Sequence, residues 1–574
     1  MLQVPTGQKD LLVFAKELIE QCNVSVGMRS AYYQQLNMIC ETGRYDAAKS
    51  LINMLPNHLT RTADHLFSPI ELKFTIDFGR PKRKLDYERA KAVAKELTRT
   101  WDRNGTDMTF GRGVKESLKY GAAILKQWTQ VEGKDEQPNY YDKLVMPWQF
   151  GVYREDENRI DRQEALCETI LLTGPEVWQR IWHFPDADKL YTKIMTNARS
   201  GTATAEPNSF FHSIVSANAL QTNADGGGSA IPGGVVQLNN YPNYAIMGPV
   251  VAPEVVEAHE LWVKDEDDYV TFLVIEPDIL VAPRHKKANL LGLQRVQPYR
   301  LIQPNEVTNW FWGRTELADL IEPQGLLATW CDDTRRLVSL QVDKILGISG
   351  DAGITDEIYA QMRLSGFMNL PAGASINDIT PKLPAELIPM LKFCIETINT
   401  LGGFPEIMQG KGEPGVRAGS HANTLLKTAS PSLRDRSVLV ERQCATCADL
   451  TLQMMEAKDD EYYWLQADKP LEDVENSKFL LAELPGDWRV AIDSHSSSPI
   501  FADENAQLIF QARKMGTVTD EYVLDNMPFP NKEMARTQLR EKEAKQAAQF
   551  KELLTMNPEV ADKVLQKQII GGRH

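Results

Sequence analysis

Two cysteines and two histidines are the residues whose spacing comes closest to a chemical motif. Cys444 and Cys447 form a CxxC pair inside RQCATCADLTLQMM, a segment with the apolar spacing of a helix. A structural zinc site needs four ligands, and neither a second CxxC nor a histidine pair lies nearby in the sequence. His58 and His65 fit one helix face but lack the HExxH arrangement of a metalloenzyme. The spacing favours packing or surface roles over metal or redox chemistry.

The segment GKGEPG around Lys411 is similar in composition to a phosphate-binding loop. A Walker A loop requires GxxxxGK followed by Ser or Thr after an apolar strand, whereas here a helical pattern precedes the segment and Gly follows Lys411. The 574 residues contain no recognisable nucleophile, metal or nucleotide motif. We therefore expect no enzymatic activity and no cofactor. A hydrolase whose His and Asp residues meet only in the fold is the alternative.

Composition limits the class of protein. Hydrophobic residues at 43% and charged residues at 25% are typical of a globular chain. Seven cysteines without framework spacing indicate free thiols in a reducing compartment. The sequence has no apolar run near the roughly 20 residues that span a bilayer and no signal-peptide pattern, so we expect a cytosolic product. A net charge of -15 disfavours a general basic surface that grips nucleic acid.

The elements that would position any site change character along the chain. Amphipathic spacing predicts helices over 11–19 and 87–101, and it extends through GRGVKESLKYGAAILKQW with Val114, Leu118, Ala122 and Leu125 on one face. From about residue 140, short apolar stretches between polar turns predict antiparallel strands, including a hairpin that turns at Asp265 to Asp268. Residues 199–245 contain few apolar clusters and predict a long mobile loop.

Three long helical patterns follow in the second half. The first starts at Thr315, runs for about thirty residues and contains Pro323, which predicts a kink. Glycine-punctuated β-like pieces separate it from a second helix, ELIPMLKFCIETINTL. A glycine-rich stretch then leads to a third helix, predicted from Ala422 to Lys458 with a kink at Pro431. Strands are predicted within 459–500, and a charged helical region follows Phe501.

Four segments follow one another along the second half of the chain: FWGRTELADLIEPQ, SGDAGITDE with GFMNLPAGASINDI, LGGFPEIMQGKGEPGVRAGSHANTLLKTASPSLRD, and KMGTVTDEYVLD. In this order they resemble portal proteins of tailed double-stranded DNA bacteriophages. FWGRTELADLIEPQ resembles the start of the portal's first stem helix, and SGDAGITDE with GFMNLPAGASINDI is similar to the clip at the narrow end. LGGFPEIMQGKGEPGVRAGSHANTLLKTASPSLRD resembles the tunnel loop with the long helix after it, and KMGTVTDEYVLD resembles the opening of the crown. Each motif is weak alone, and the order and spacing of all four carry the resemblance.

The resemblance implies an α+β portal fold that assembles as a ring, commonly of twelve subunits. Its parts would be an N-terminal wing (1–312, with the mobile loop 199–245), the first stem helix (313–345), the clip (346–380), the second stem helix (381–402), the tunnel loop (403–421), a kinked wing helix with wing strands (422–500) and a helical crown (501–574). The crown helix would face the packaged genome, and a solvated helical tail is the alternative.

The implied function is a DNA channel at one capsid vertex of the virion, assembled in the host cytoplasm. DNA would be packaged, retained and ejected through the ring, which would also contact the terminase large subunit, tail adaptor proteins, and the major capsid and scaffolding proteins. With twelve copies the charge of -15 sums to roughly -180, which would repel phosphates from the channel wall. Another phage head–tail structural protein is the runner-up.

Two sets of residues are candidates for contact with DNA or with neighbouring subunits. The tunnel-loop residues Gln409, Lys411, Arg417 and His421 would lie close to the DNA backbone, and a solvated loop with ordinary charges is the alternative. The resemblance would place Arg335, Arg336 and Lys344 at the channel or between subunits, where ion pairs with Asp332 or Asp333 of a neighbour compete with DNA contact. Alanine at Lys411 and Arg417 should alter DNA packaging or retention in a packaging assay, and unchanged values would remove the reason for choosing them.

Overall fold

A computed structural model of the protein describes residues 8–43, 50–68, 72–78, 84–130, 139–196, 255–265, 268–275, 279–284, 296–342, 346–349, 375–403, 431–457, 463–464, 478–479, 488–492 and 508–518, with isolated positions before and after these ranges. The chain divides into two compact units, Met1–Ile492 and Asp493–His574. Helices and antiparallel sheets together make it a mixed α and β protein. In the second unit, residues 508–514 are helical.

The helices in the described part of the first unit lie in three groups along the chain. Five precede most of the strands: α1 (Gln8–Asn23), α2 (Val26–Thr42), α3 (Leu55–Leu66), α4 (Lys84–Asn104) and α5 (Thr106–Tyr120). Two short helices, α6 (Gly174–Ile181) and α7 (Ala187–Thr196), follow the fifth strand. The last three are α8 (Ile321–Val342), α9 (Leu387–Leu401) and α10 (Pro431–Ala457). The helices predicted over 11–19 and 87–101 are confirmed.

The strands form antiparallel sheets. The largest sheet has the order β4-β5-β6-β7-β8, formed by Phe150–Val152, Ala165–Thr173, Val255–Asp265, Asp268–Ile275 and Ile279–Arg284. A three-stranded sheet has the order β3-β2-β9, formed by Asn139–Val145, Ala123–Gln130 and Tyr299–Ile302. The described residues also contain three strand pairs: β1 (Phe74–Phe78) with β14 (Trp488–Ile492), β10 (Leu346–Ser349) with β11 (Ser375–Asp378), and β12 (Tyr463–Trp464) with β13 (Lys478–Phe479).

The five-stranded sheet is covered on both faces, which explains its long apolar strands. Cys167 and Leu261 pack with residues of α1 on one face, whereas Leu166 and Trp262 belong to a second cluster on the other face. All eight residues of β7 are buried. The predicted hairpin is confirmed, because β6 and β7 pair in a register that ends with Asp265 opposite Asp268.

The main core lies among α2 to α5, the three-stranded sheet and α10. Two buried side chains from different elements meet there on Thr451 of α10. The indole nitrogen of Trp101 donates to its hydroxyl at 3.1 Å, and the Gln127 amide donates to it at 3.0 Å. Because a buried donor needs an acceptor, these bonds fix α10 against α4 and the sheet. The long helix is thus part of the body of the first unit.

The prediction that the α5 pattern continues through Leu125 was wrong. α5 ends at Tyr120, and Gly121 follows with φ of 97°, a conformation that L side chains rarely adopt. A Cβ atom at residue 121 would lie 2.5 Å from the carbonyl oxygen of Trp312, so the site also requires glycine for space. After this turn the chain enters β2, where Leu125 is buried. Residues 122–125 are four consecutive buried apolar residues, so Ala122 and Leu125 fit a helical spacing although the chain is no longer helical there.

The first long helix starts later than predicted. Thr315 caps a short 3-10 helix, Glu316–Asp319, by accepting a hydrogen bond from the backbone N–H of Leu317. α8 begins only at Ile321, which places Pro323 in its first turn. The missing N–H of a proline removes no helical hydrogen bond there, so the expected kink is not required. At Pro431, where α10 begins, the preceding residues lie outside the described part, and the kink predicted there stays a prediction.

Candidate functional site

The most distinctive feature of the first unit is a hairpin of two helices. The chain runs along α8, pairs β10 with β11, and returns along α9, which packs against α8. At 1.5 Å per residue the 22-residue α8 is about 33 Å long. The Gln341 amide near the end of α8 donates to the carbonyl oxygen of Pro381, before α9, at 2.6 Å. The strand pair and this hydrogen bond therefore close the far end of the hairpin.

The base of the hairpin is fixed to the body by polar contacts. The Thr315 hydroxyl donates to the carbonyl oxygen of Lys119 at 2.6 Å. Gln324, which is fully buried, donates to the carbonyl oxygen of Ile52 at 2.8 Å and accepts from the backbone N–H of Met54 at 3.1 Å. The apolar residues Leu327 and Cys331 of α8 and Ile398 of α9 join the main core. This end of the hairpin is thus an integral part of the unit.

A buried carboxylate, Glu316, is the most connected residue at the base. Its Oε2 atom accepts from Arg436 of α10 at 2.6 Å and from the Asn305 amide at 3.0 Å. Its Oε1 atom lies 3.5 Å from Nε2 of His58 in α3. Burial opposes ionisation of Glu316, but hydrogen bonding from His58, the charge of Arg436 and the Asn305 amide outweigh it and lower the pKa to about 2. We call Glu316, His58, Arg436 and Asn305 the Glu316 cluster.

The Glu316 cluster predicts a loss of stability in acid. Because the pKa of Glu316 is lower in the fold than its ordinary value of 4.5, its contribution to stability is present above pH 4.5 and is lost as the pH falls towards 2. The shift corresponds to about 3 kcal/mol at most. We expect the difference in urea midpoint between the native protein and Glu316→Gln to be large at pH 7 and to narrow at pH 3. An equal difference in urea midpoint at pH 7 and pH 3 would contradict the lowered pKa of Glu316.

The far half of the hairpin exposes large apolar side chains. Beyond Cys331 no described residue of α8 is buried, and in α9 no residue before Cys394 is buried. Val338 of α8 and Ile388, Met390 and Phe393 of α9 are exposed by 47%, 53%, 47% and 64%. Scattered exposed apolar residues are normal, but four on one pair of helices are a larger feature. In a single copy, this surface is in contact with water.

The predicted contact residues are placed only in part. Arg335 and Arg336 lie on α8, beyond its last buried residue, and both are exposed. They belong to the same half of the hairpin as the apolar surface. Lys344 lies outside the described residues, as do Gln409, Lys411, Arg417 and His421. The loop 199–245 and most of the predicted clip also lie outside them, so these predictions stand as made.

A buried charge cluster in the two sheets was missed by the sequence analysis. The ammonium of Lys126 in β2 lies 2.6 Å from a Glu168 oxygen and 3.0 Å from a Glu260 oxygen, across the interface between the sheets. The Tyr299 hydroxyl donates to Glu168 at 2.9 Å, and the Trp262 indole donates to Glu260 at 2.9 Å. Relative exposure is 8% or less for all five residues, so this cluster joins the sheets and is closed to a substrate.

The charges of this cluster support one another. Burial alone would lower the pKa of Lys126, but the two carboxylates outweigh it and raise that pKa above the ordinary value. Burial likewise opposes ionisation of Glu260, and Lys126 and the Trp262 indole keep the pKa of Glu260 below its ordinary value. Lys143, whose side chain is 45% exposed, contacts the second Glu168 oxygen at 3.1 Å. Two lysines therefore neutralise two carboxylates.

The cysteine pair lies in the core. Cys444 and Cys447 are fully buried in α10, and burial raises the pKa of the Cys447 thiol to about 12. A thiol with such a pKa is protonated at neutral pH and is a poor nucleophile and metal ligand. His58 is buried in the Glu316 cluster, and His65 of the same helix is half-buried. The two cysteines and the two histidines therefore lie where they pack against the protein or support its structure.

An open cleft of about 500 Å³ lies between the α1–α2 turn and the end of β4. Its charged group, Glu155, is engaged with the protein. Glu155 accepts from the Trp312 indole at 2.7 Å and lies 3.3 Å from the Arg29 guanidinium, which stacks over the Trp312 ring. Burial raises the pKa of the Cys22 thiol in its wall to about 12. These residues offer the cleft no activated nucleophile.

Comparisons with known proteins give no family for this chain. No protein-family model matches it, and no curated protein matches it. Within the described ranges, every helix is too short or too polar to cross a membrane. Across those same ranges, no group of three His, Cys, Asp or Glu side chains is arranged to hold a metal ion.

Proposed function

We propose that the protein is the portal subunit of a tailed double-stranded DNA bacteriophage. The observation that carries the proposal is the projecting hairpin of α8 and α9, whose base is built into a mixed α and β body and whose far half exposes apolar residues. The order of its elements agrees with the portal resemblance: helices and antiparallel sheets, a long helix, a short strand pair, a returning helix and a further long helix.

Exposed apolar residues on the hairpin favour assembly of several copies. Burying them against a neighbouring hairpin would contribute about 25 cal/mol for each Å² of apolar surface removed from water. A contact between two different faces of a chain closes into a ring when the rotation between copies closes. A ring of about twelve such hairpins would enclose a channel, with the negative chain charge disfavouring tight binding of DNA.

The partners follow from this role. In the proposed ring, the end of the hairpin would contact the terminase large subunit during packaging and tail adaptor proteins afterwards. Arg335 and Arg336, exposed on the same half of α8, would face either the channel or a neighbouring subunit. Lys411 and Arg417 would approach the DNA backbone without reading its sequence. The major capsid and scaffolding proteins would surround the body, and the protein would end in the virion after assembly in the host cytoplasm.

Electron microscopy of the purified chain, with its mass measured in solution, tests the proposal. We expect rings of about twelve copies with a central hole, because assembly would cover the exposed half of the hairpin. A stable monomer or dimer under all salt and pH conditions would overturn the proposal and return the hydrolase to consideration. Open filaments or stacks would instead favour another head–tail structural protein.

A further inference from the structure

Apolar contacts, neutral hydrogen bonds and charge-assisted hydrogen bonds together hold the helical hairpin on the body. Apolar contacts of Leu327, Cys331 and Ile398 join it to the main core. Such contacts are non-directional, so they hold a helix in place without defining its angle sharply. Charge-assisted hydrogen bonds are short and directional. The Glu316 cluster provides such bonds just before α8 begins.

The Glu316 cluster reaches both helices of the hairpin. Glu316 itself lies five residues before Ile321, the first residue of α8. His58 contacts Glu316 on one side and packs on the end of α9 on the other. A Cβ atom at Gly402, the residue after α9, would lie 2.2 Å from Cε1 and 2.6 Å from Nδ1 of the His58 ring. The imidazole is thus held between the start of one helix and the end of the other.

The same cluster reaches the body at two further points. Arg436 belongs to α10, which Trp101 and Gln127 fix to the core through Thr451. Arg436 also donates to the Asn305 side chain at 3.1 Å, and Asn305 follows strand β9 in the chain. The Glu316 cluster therefore links the start of α8, the end of α9, α3 and α10.

We propose that the Glu316 cluster sets the angle at which the α8–α9 hairpin leaves the body. We call this connection between the body and the hairpin, made by the Glu316 cluster, the joint. In a closed ring the angle between neighbouring copies is fixed by their number, so the joint would also determine how many copies close the ring. The effect on copy number rests on the proposed portal function, whereas the effect on the hairpin angle does not.

Distance measurement between spin labels tests the joint directly. The native cysteines are buried, so labels can be directed to Ser339→Cys on the exposed half of α8 and Arg99→Cys on α4. Labelled chains are mixed with excess unlabelled chains, so that each assembly contains one pair. We expect one narrow distance distribution in the otherwise native protein and a broader, shifted one in Glu316→Gln. Glu322→Gln, the same change at an exposed position of α8, should keep the native distribution.

A second variant leaves every charge in place. Gly402→Ala inserts a methyl group into the His58 ring position and should displace the end of α9, which shifts the distance distribution. Gly27→Ala is its control, because an added Cβ there meets nothing within 4 Å. Native distributions in both folded Glu316→Gln and Gly402→Ala would overturn the proposal. Where Glu316→Gln does not fold, Gly402→Ala decides alone.

The number of copies per ring distinguishes the role of the Glu316 cluster from the proposed portal function. Native mass spectrometry of the same variants should give a wider range of copies per ring in Glu316→Gln than in the native protein. Absence of rings in the native protein would remove the portal function and leave the angle measurement valid. If the variants form rings with the native copy number and the native distance between spin labels, the proposed role of the Glu316 cluster is wrong and the portal function is unaffected.

Discussion

Replacing Lys126 with methionine is expected to destabilise the protein by about 3 to 5 kcal/mol, enough to shift its urea midpoint strongly. The ammonium lies within 3.0 Å of oxygens of both Glu168 and Glu260, which have relative exposures of 0% and 5%. Methionine fills a similar volume but leaves these two carboxylates without their shared cation. Removing one partner of a buried ion pair costs more than the pair contributes, because the remaining charge stays desolvated.

The loss of stability in Lys126→Met should increase with pH. Without Lys126, the folded state raises the pKa of at least one of the two carboxylates, because like charges then face each other in a buried site. A raised pKa in the fold makes the penalty largest above that pKa and relieves it as the pH falls. The difference in urea midpoint between the native protein and Lys126→Met should therefore be larger at pH 8 than at pH 5.

Lys143→Met is the matched control for this prediction. Lys143 also contacts Glu168, at 3.1 Å, but its side chain is 45% exposed. An ion pair with that much contact with water contributes about 1 kcal/mol or less. Comparable losses for the two substitutions would show that the buried cluster does not carry the interface between the sheets.

The sequence located the hairpin of β6 and β7 because both signals there are local. The apolar runs define the strands, and an acidic turn separates them at Asp265 to Asp268. The helices α1, α4 and α9 were found for the same reason, since 3.6-residue periodicity is readable over three or more turns. Elements of this kind need no knowledge of what packs against them.

The errors arose where a distant residue decides the structure. α5 ends at Tyr120 because Gly121 turns the chain with a φ of 97°, and the backbone of Trp312, nearly two hundred residues later, leaves no space for a side chain at this turn. Apolar spacing alone therefore favoured a longer helix. The start of α8 was misplaced because Thr315 caps a 3-10 turn, which delays the helix until Ile321. Helix ends depend on such caps more than on periodicity.

The buried charge cluster left a signal in the sequence that was not used. Lys126, Glu168 and Glu260 each stand alone inside an apolar strand segment, in AILKQW, ALCETILL and AHELW. A single charge among buried apolar residues requires a partner of opposite charge. Which charges pair depends on strand order and register, and local patterns do not provide these. The Glu316 cluster was missed for the same reason, since His58 and Arg436 are hundreds of residues apart.

Substituting glutamate for Phe393 should abolish ring assembly while leaving the single copy folded. Phe393 is the most exposed of the four apolar residues on the far half of the hairpin, at 64%. A polar residue at such a position changes the stability of one copy by about 0.5 kcal/mol or less. In a ring, the same change would remove the burial of an aromatic ring and bury a charge in its place.

Closure multiplies this effect. A loss of about 2 kcal/mol at each contact, the value of burying one aromatic side chain, amounts to roughly 24 kcal/mol around a ring of about twelve copies. Mass photometry should therefore show rings for the native protein and for Phe393→Leu, which stays apolar, and single copies for Phe393→Glu. Equal melting temperatures of the single copies would exclude misfolding as the cause. Rings that persist in Phe393→Glu would show that copies contact each other through a surface other than α9. A buried, unpaired glutamate at every contact is incompatible with a closed assembly.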